Sequence, residues 1–185
     1  MRVIPGRQHG ATLTEMMVAV SILGTLIVVG VPQLADVLAS MRLREGMLAI
    51  TSGLRLARVE AIRRNGRVVM CKSEDGTQCS DSGDWSQGWI IFHDANSSRI
   101  VDGDETVLYR EAPIASRFRI SGNQMIARDL AYSFSGEAVL PNGGFQAGTF
   151  TVAPREGGPS TVYCVAVSKR GSHRVYKSGT GRCTS

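Results

Sequence analysis

Between Glu15 and Asp36 the chain carries no charged side chain, and the residues from Met16 to Leu34 are predominantly apolar. A helix rises about 1.5 Å per residue, so this run is long enough to cross a bilayer core of about 30 Å. Arg2 and Arg7 precede it. The positive-inside rule keeps that end cytoplasmic, so the chain after Leu34 would be exported. Glu15 stands at the start of the run, where a carboxylate is costly to leave unpaired and is a functional candidate for that reason. Two other readings use the same residues: a secretory signal peptide cut near Leu38-Ala39, and a permanent signal anchor. A signal peptide's apolar region is normally shorter and rarely carries Glu.

With 185 residues, the chain has room for this segment and one globular domain of about 120 residues. Its 21 glycines are more than a helical bundle tolerates and point to turns between short strands. Net charge is +5, and without Arg2 and Arg7 it is +3, 19 basic residues against 16 acidic. That charge is uneven. From Arg155 onward there are six basic residues (Arg155, Lys169, Arg170, Arg174, Lys177, Arg182) and one acid, Glu156. A polyanion-binding face has this asymmetry, and so does a solvated surface.

In an exported chain the four cysteines, Cys71, Cys79, Cys164 and Cys183, are expected to form two disulfides. Of three connectivities, Cys71–Cys79 with Cys164–Cys183 is the local one, closing two short loops. A zinc site is the competing reading, but no C-x-x-C occurs, and His93 and His173 are isolated.

Beyond the apolar run, Leu43, Met47, Ile50, Leu54, Ala57 and Ala61 recur at steps of four and three, the stripe of an amphipathic helix packed on a domain. Arg42, Arg44, Arg55 and Arg63 lie largely off it. Gly30 with Pro32 should bend or loosen the helix, Gly46 and Gly53 weaken it by propensity, and Asn65-Gly66 ends it. Strands are then expected over 67–72, 88–93, 106–110, 118–121, 131–134, 149–153, 161–168 and 173–177, with a mobile loop over Pro154–Pro159.

The residues around Gly10 carry a specific resemblance. A short basic leader ending in Gly, a Glu five residues later and an apolar helix resemble a type IV prepilin, and Pro32 stands where pilins often carry a proline. The resemblance implies that a prepilin peptidase cuts after Gly10 and methylates the amine of Ala11, where members usually have Phe. Glu15 would pair with the amino terminus of a neighbouring subunit, neutralising two charges in an apolar bundle. The segments Leu56–Asn65 and Trp85–Phe92, with Asp94, Asn96, Cys71 and Cys79, are similar to GspH/FimT-type minor pilins and pseudopilins. The implied fold is α+β, a long N-terminal helix on a small antiparallel two-sheet β domain. It divides the chain into a leader (1–10), a long helix (11–65, with 11–34 in the membrane) and a β domain (66–185). The implied partners are other major and minor pilins through their N-terminal helices, the prepilin peptidase and the inner membrane, with the pilus or cell surface as destination. The implied role is a minor pilin in a tip or priming complex, or a GspH-type pseudopilin of type II secretion.

Asp94, Asn96, Ser98, Ile100, Asp102 and Glu105 fall at the ligand positions of an EF-hand-like calcium loop. Arg99 replaces the glycine that such a loop needs, and a strand precedes it, so an acidic hairpin loop is expected. No catalytic motif occurs, and neither enzyme activity nor a cofactor is expected. Near the C-terminus Lys169, Arg170, Arg174 and Lys177 lie on or beside an expected hairpin with Tyr176 among them, a composition suited to phosphate contact and stacking. Some FimT-type pilins bind DNA through a C-terminal Gly-Arg-x-Arg motif. The corresponding Gly171-Ser172-His173-Arg174 has Ser172 for the first Arg, and Gly181-Arg182-Cys183 offers a second Gly-Arg. The alternatives are solvated surface charge and contact with acidic neighbouring pilins.

Overall fold

The computed structural model describes residues 10, 12–103, 105–114, 118–155 and 161–183, and only the backbone of 29–33, 35 and 36. The chain divides into two units, Met1–Leu38 and Ala39–Ser185. Helix α1 (Leu13–Arg64) contributes residues to both. In the first unit it continues through positions 30 and 32; the side chain of Pro32 lies outside the described residues, as do Ala11, Arg2 and Arg7. Among the described residues no helix is long and apolar enough to cross a membrane. The segment expected to do so, 11–34, takes in several positions outside that set.

In the second unit α1 ends as Asn65-Gly66 requires. Asn65 takes φ 49°, and the Gly66 and Asn65 amides donate to the carbonyls of Ala61 and Ile62, closing the last turn in a Schellman-type cap. Arg63 and Arg64 lie in that turn and both bind Glu60, at 2.7 and 2.9 Å, where cations also complement the helix dipole.

Among the described residues eight strands follow: β1 (Val68–Lys72), β2 (Trp89–His93), β3 (Val107–Glu111), β4 (Phe118–Gly122), β5 (Asp129–Tyr132), β6 (Gly148–Pro154), β7 (Val162–Val167) and β8 (His173–Ser178). They form two antiparallel sheets, β3-β2-β1-β5 and β4-β6-β7-β8. Seven begin and end within one residue of expectation. The exception is β5, expected over 131–134. Its inward residues are Leu130 and Tyr132, both fully buried. At Ser133 the chain enters a tight turn closed by Gly136, whose amide donates to the Ser133 carbonyl at 2.8 Å. Phe134 is therefore 63% exposed. Of the expected loop over Pro154–Pro159, positions 156–159 lie outside the described residues.

The expected stripe on α1 is the spine of the main core. Leu43, Ile50, Leu54, Ala57 and Ala61 are buried and Met47 partly so, against the inner faces of both sheets. Gly46 and Gly53 were expected only to weaken the helix, but they set its distance from the sheets. A Cβ on Gly46 would lie 2.4 Å from the Phe118 ring, and one on Gly53 would lie 2.9 Å from Met70 Cε and Trp89 Nε1. Strands β1, β2 and β5 of the first sheet are buried on both faces. Val69, Cys71, Ile90, Phe92 and Ala131 form a second cluster on its far side with Val139, which explains the unbroken apolar run of β2.

The full chain in detergent carrying Gly46→Val should unfold more easily by about 1–3 kcal/mol, because the branched side chain has no room beside Phe118. A melting temperature equal to or above that of the parent would show that the close approach is not required.

Candidate functional site

In the first unit Thr12 caps α1. Its hydroxyl accepts from the Glu15 amide at 3.3 Å and its carbonyl from the Met16 amide at 3.2 Å. Glu15 therefore lies in the first turn, where the dipole favours a negative charge. Among the described residues no cation is within ion-pair range of it. Leu13, Met16, Met17, Val20, Leu23, Leu26 and Ile27 are all exposed. Ser21 and Thr25 donate their hydroxyls to the carbonyls of Met17 and Ile22 at 2.8 Å, so these two hydroxyls are satisfied within the helix. Exposed apolar surface of this extent marks an interaction site. Gly10 is exposed, with open space around its Cα.

The cysteines pair locally, Cys71–Cys79 and Cys164–Cys183, with Cα separations of 5.5 and 5.7 Å. The second bridge ties the C-terminal segment to β7.

The structure does not gather the basic C-terminal residues on one face. β8 is an edge strand of its sheet, and residues an odd number apart in a strand point to opposite faces. Arg174 pairs across from Ala166 and Lys177 from Tyr163, so the two side chains diverge. Arg174 and Tyr176 line an open groove of about 570 Å³ with Asn123, Gly148, Thr149 and Ala166. On the other face the Lys177 ammonium lies 5.3 Å from the Tyr163 ring. Lys169, in the β7–β8 turn, lies 4.9 Å from the ring of Phe145, and Arg170 and Arg182 are exposed. His173, half-buried, is held below its ordinary pKa by burial first and then by Arg55 and Arg58. Those two helix arginines are basic neighbours that the sequence reading did not connect to this segment.

In the acidic loop the carboxylates bind the loop itself. Asp94 accepts from the Ser98 amide at 2.9 Å, Asp102 from Asn96 Nδ2 at 2.9 Å and from Ser98 Oγ at 2.8 Å, and Glu105 from the Ala95 amide at 2.8 Å. Arg99 replaces glycine at φ 61° and turns its guanidinium inward. There it is buried, ion-paired with Asp129 and bonded to the Val139 carbonyl and to Gln146 Oε1. Gln146 also accepts from the Ala131 amide at 3.1 Å and donates to the Asp129 carbonyl at 2.9 Å, as a neighbouring strand would. The one signal of this latch in the sequence is the arginine at the glycine position.

The Trp85–Trp89 segment is equally specific. Asp84 caps a short 3-10 turn over Trp85–Gln87 by accepting from the Ser86 amide. Trp85 donates to the Ile126 carbonyl at 3.1 Å and meets Phe150 edge-on at 5.1 Å. Gly88 takes φ 107°, where a Cβ would lie 2.5 Å from the Glu111 carbonyl oxygen. Residues 48–171, which hold these features, match the family described as type II transport protein GspH. Residues 5–31 match the prokaryotic N-terminal methylation motif. The chain belongs to the GspH family.

Among solved structures this GspH-family chain is similar to the type IV minor pilin FimU of Pseudomonas aeruginosa in two crystal forms. One has 16% identity and a TM-score of 0.57 over 75% of this chain and 90% of that one. The other has 15% and 0.52 over 74% and 91%. A third is the minor pseudopilin EpsH of the type 2 secretion system of Vibrio cholerae, with 12% identity and a TM-score of 0.48 over 72% and 94%. At these identities the likeness to FimU is one of fold, and it agrees with the helix on two antiparallel sheets expected for this family. No curated protein matches the chain. The family match ends at Gly171, so β8 with Arg174 and Lys177, and Arg182 beyond it, lie outside the matched span.

Burial raises the Asp94 pKa, with the Ser98 amide and Arg67 opposing, and its Oδ2 has no hydrogen-bond partner. A carboxylate whose pKa is raised by folding binds its proton more readily in the folded state, so its charge destabilises that state above the folded pKa. Asp94→Asn should therefore raise the melting temperature at pH 7, and the gain should shrink as pH falls towards 4. An equal or larger gain at the acidic end would contradict this assignment.

Proposed function

We propose that this chain is a minor pilin of a type IV pilus, a structural rather than catalytic subunit in the tip or priming complex that starts assembly. The observation that carries the reading is the exposed apolar surface of α1 in the first unit, with Glu15 at its start. On α1 the described core residues of the second unit run from Leu43 to Ala61. A segment whose Ser21 and Thr25 hydroxyls bond its own carbonyls, and whose described apolar side chains are exposed, is suited to the inner membrane before assembly and to other pilin helices after it. The methylation motif supports processing by a prepilin peptidase after Gly10, which leaves Ala11 as the new amino terminus. The same features serve a pseudopilin of type II secretion. A deletion strain separates the two, losing pili in one case and secretion of exported enzymes in the other.

Glu15→Val should leave membrane insertion intact and lower the amount of the chain in sheared filaments. Full incorporation of the variant would sink the pairing of Glu15 with a neighbouring amino terminus.

A second activity, capture of DNA, is favoured by the pairing of basic and aromatic groups at β8: Arg174 with Tyr176 in the groove, and Lys177 against Tyr163. Phosphate contact beside stacking platforms suits single-stranded or splayed nucleic acid. The full chain in detergent should bind DNA more weakly as salt rises, and conversion of Lys169, Arg170, Arg174 and Lys177 to Gln should flatten the salt dependence. No binding at low salt would remove this activity and leave the assembly role.

A further inference from the structure

Asn96 lies in the loop between β2 and β3, and Ser98 stands two places after it. Asparagine followed at that spacing by Ser or Thr, with any residue but Pro between, is the acceptor pattern for an N-linked glycan on a surface loop of an exported chain. Of the four asparagines Asn96 alone fits, since Arg67, Met125 and Gly144 stand two places after Asn65, Asn123 and Asn142. Both structural conditions are met. Asn96 is exposed, and Cys71–Cys79 and Cys164–Cys183 are both bridged, as in an oxidising compartment outside the cytoplasm.

The folded loop also has room for the product. The Asn96 side-chain oxygen accepts from the Ser98 amide at 2.9 Å, and Nδ2 donates to Asp102 Oδ1 at 2.9 Å. That nitrogen carries two hydrogens, and the second has no acceptor among the described residues. A sugar carbon in place of the second hydrogen leaves both loop bonds intact. Beside Asn96 lies an open groove of about 300 Å³ with Arg64, His93 and Thr106 in its walls, polar groups suited to the hydroxyls of a first sugar.

We propose that Asn96 is the attachment site of an N-linked oligosaccharide, added while the chain is exported. The inference rests on the reading of the chain as an exported filament subunit. The donor is an oligosaccharide carried on a polyprenyl diphosphate, and a membrane oligosaccharyltransferase moves it. A bond forms between Nδ2 and the anomeric carbon, and the bond from that carbon to the diphosphate oxygen breaks. The diphosphate leaves with the electron pair, and one Nδ2 proton passes to a base of the transferase. Asp94, Asn96 and Ser98 alternate, so in the extended chain they share one face, with a carboxylate and a hydroxyl flanking the carboxamide. Folding removes that arrangement. Asp94 becomes buried, and the Ser98 hydroxyl is taken up by the Ile100 carbonyl at 3.1 Å and by Asp102 Oδ2 at 2.8 Å. Transfer therefore precedes closure of the loop.

The test uses the full chain taken from its own cells, from sheared filaments and from the membrane fraction. Tryptic peptide 73–99, reduced at Cys79, is sequenced by electron-transfer mass spectrometry, which keeps glycans in place. The expected result is a sugar mass on Asn96. It should be lost in Asn96→Gln and in Ser98→Ala and kept in Ser98→Thr. The two Ser98 variants decide the matter even if Asn96→Gln does not fold, because both retain the acceptor. Unmodified Asn96 in chain recovered from filaments would overturn the site alone, as would a glycan on a serine or threonine that persists in Asn96→Gln, or equal occupancy in Ser98→Ala and Ser98→Thr. Chain confined to the cytoplasm with free thiols would overturn both the site and the assembly reading.

Discussion

The second unit depends on how near α1 comes to the sheets at Gly46 and Gly53. Neither position has room for a Cβ without displacing Phe118, Met70 or Trp89. Close packing at these points lets one helix face serve two sheets at once. Phe118, Ile120 and Phe150 of one sheet and Met70, Trp89 and Ile91 of the other reach the same row of α1 side chains. Interiors packed to crystal-like density transmit such constraints. The glycines lower intrinsic helix stability by about 1 kcal/mol each relative to alanine, and the burial they permit is what offsets it.

The far side of the first sheet is held differently. There the cover is irregular chain, the loops over 73–80 and 94–105, and chain of that kind needs fixed attachment points. The Cys71–Cys79 bridge supplies one and Arg99 the other. The two loops also meet directly, Gln78 Nε2 donating to the Val101 carbonyl at 3.3 Å. A buried pair such as Arg99–Asp129 adds little net stability over an apolar replacement, because desolvation offsets attraction. Its contribution is register: the pair fixes where the loop crosses β5. Gln146 then bonds the β5 edge with its carboxamide beside the Val139 amide, which donates to the Ala131 carbonyl at 2.9 Å, so together they blunt that edge.

These differences explain what could be read in the sequence. The stripe from Leu43 to Ala61 and seven of eight strands were legible because each has one dominant period and clear breakers. β5 was misplaced because Asp129 reads as loop until Arg99, thirty residues earlier, neutralises it. The acidic loop resembled a cation site because spacing alone does not show that Ser98, Ala95 and Asn96 occupy its oxygens. The basic segment near β8 read as a single patch because composition does not record strand alternation, which sends Arg174 and Lys177 to opposite faces.

One helix thus meets two kinds of demand within the second unit. Its core face has to match sheets that are part of the same chain, so small residues and close contact suffice, and the buried polar group there bonds locally. Thr51 returns its hydroxyl to the carbonyls of Met47 and Leu48. On the opposite face Ile62 lies beside Gly136 and Arg55 beside His173, while Met41, Leu48 and Val59 are exposed. Charges and Ser52 separate these apolar side chains, which limits the size of any continuous apolar patch. In the first unit Ser21 and Thr25 interrupt the apolar run, but each returns its hydroxyl to a carbonyl of the same helix, so these polar atoms need no partner from outside it.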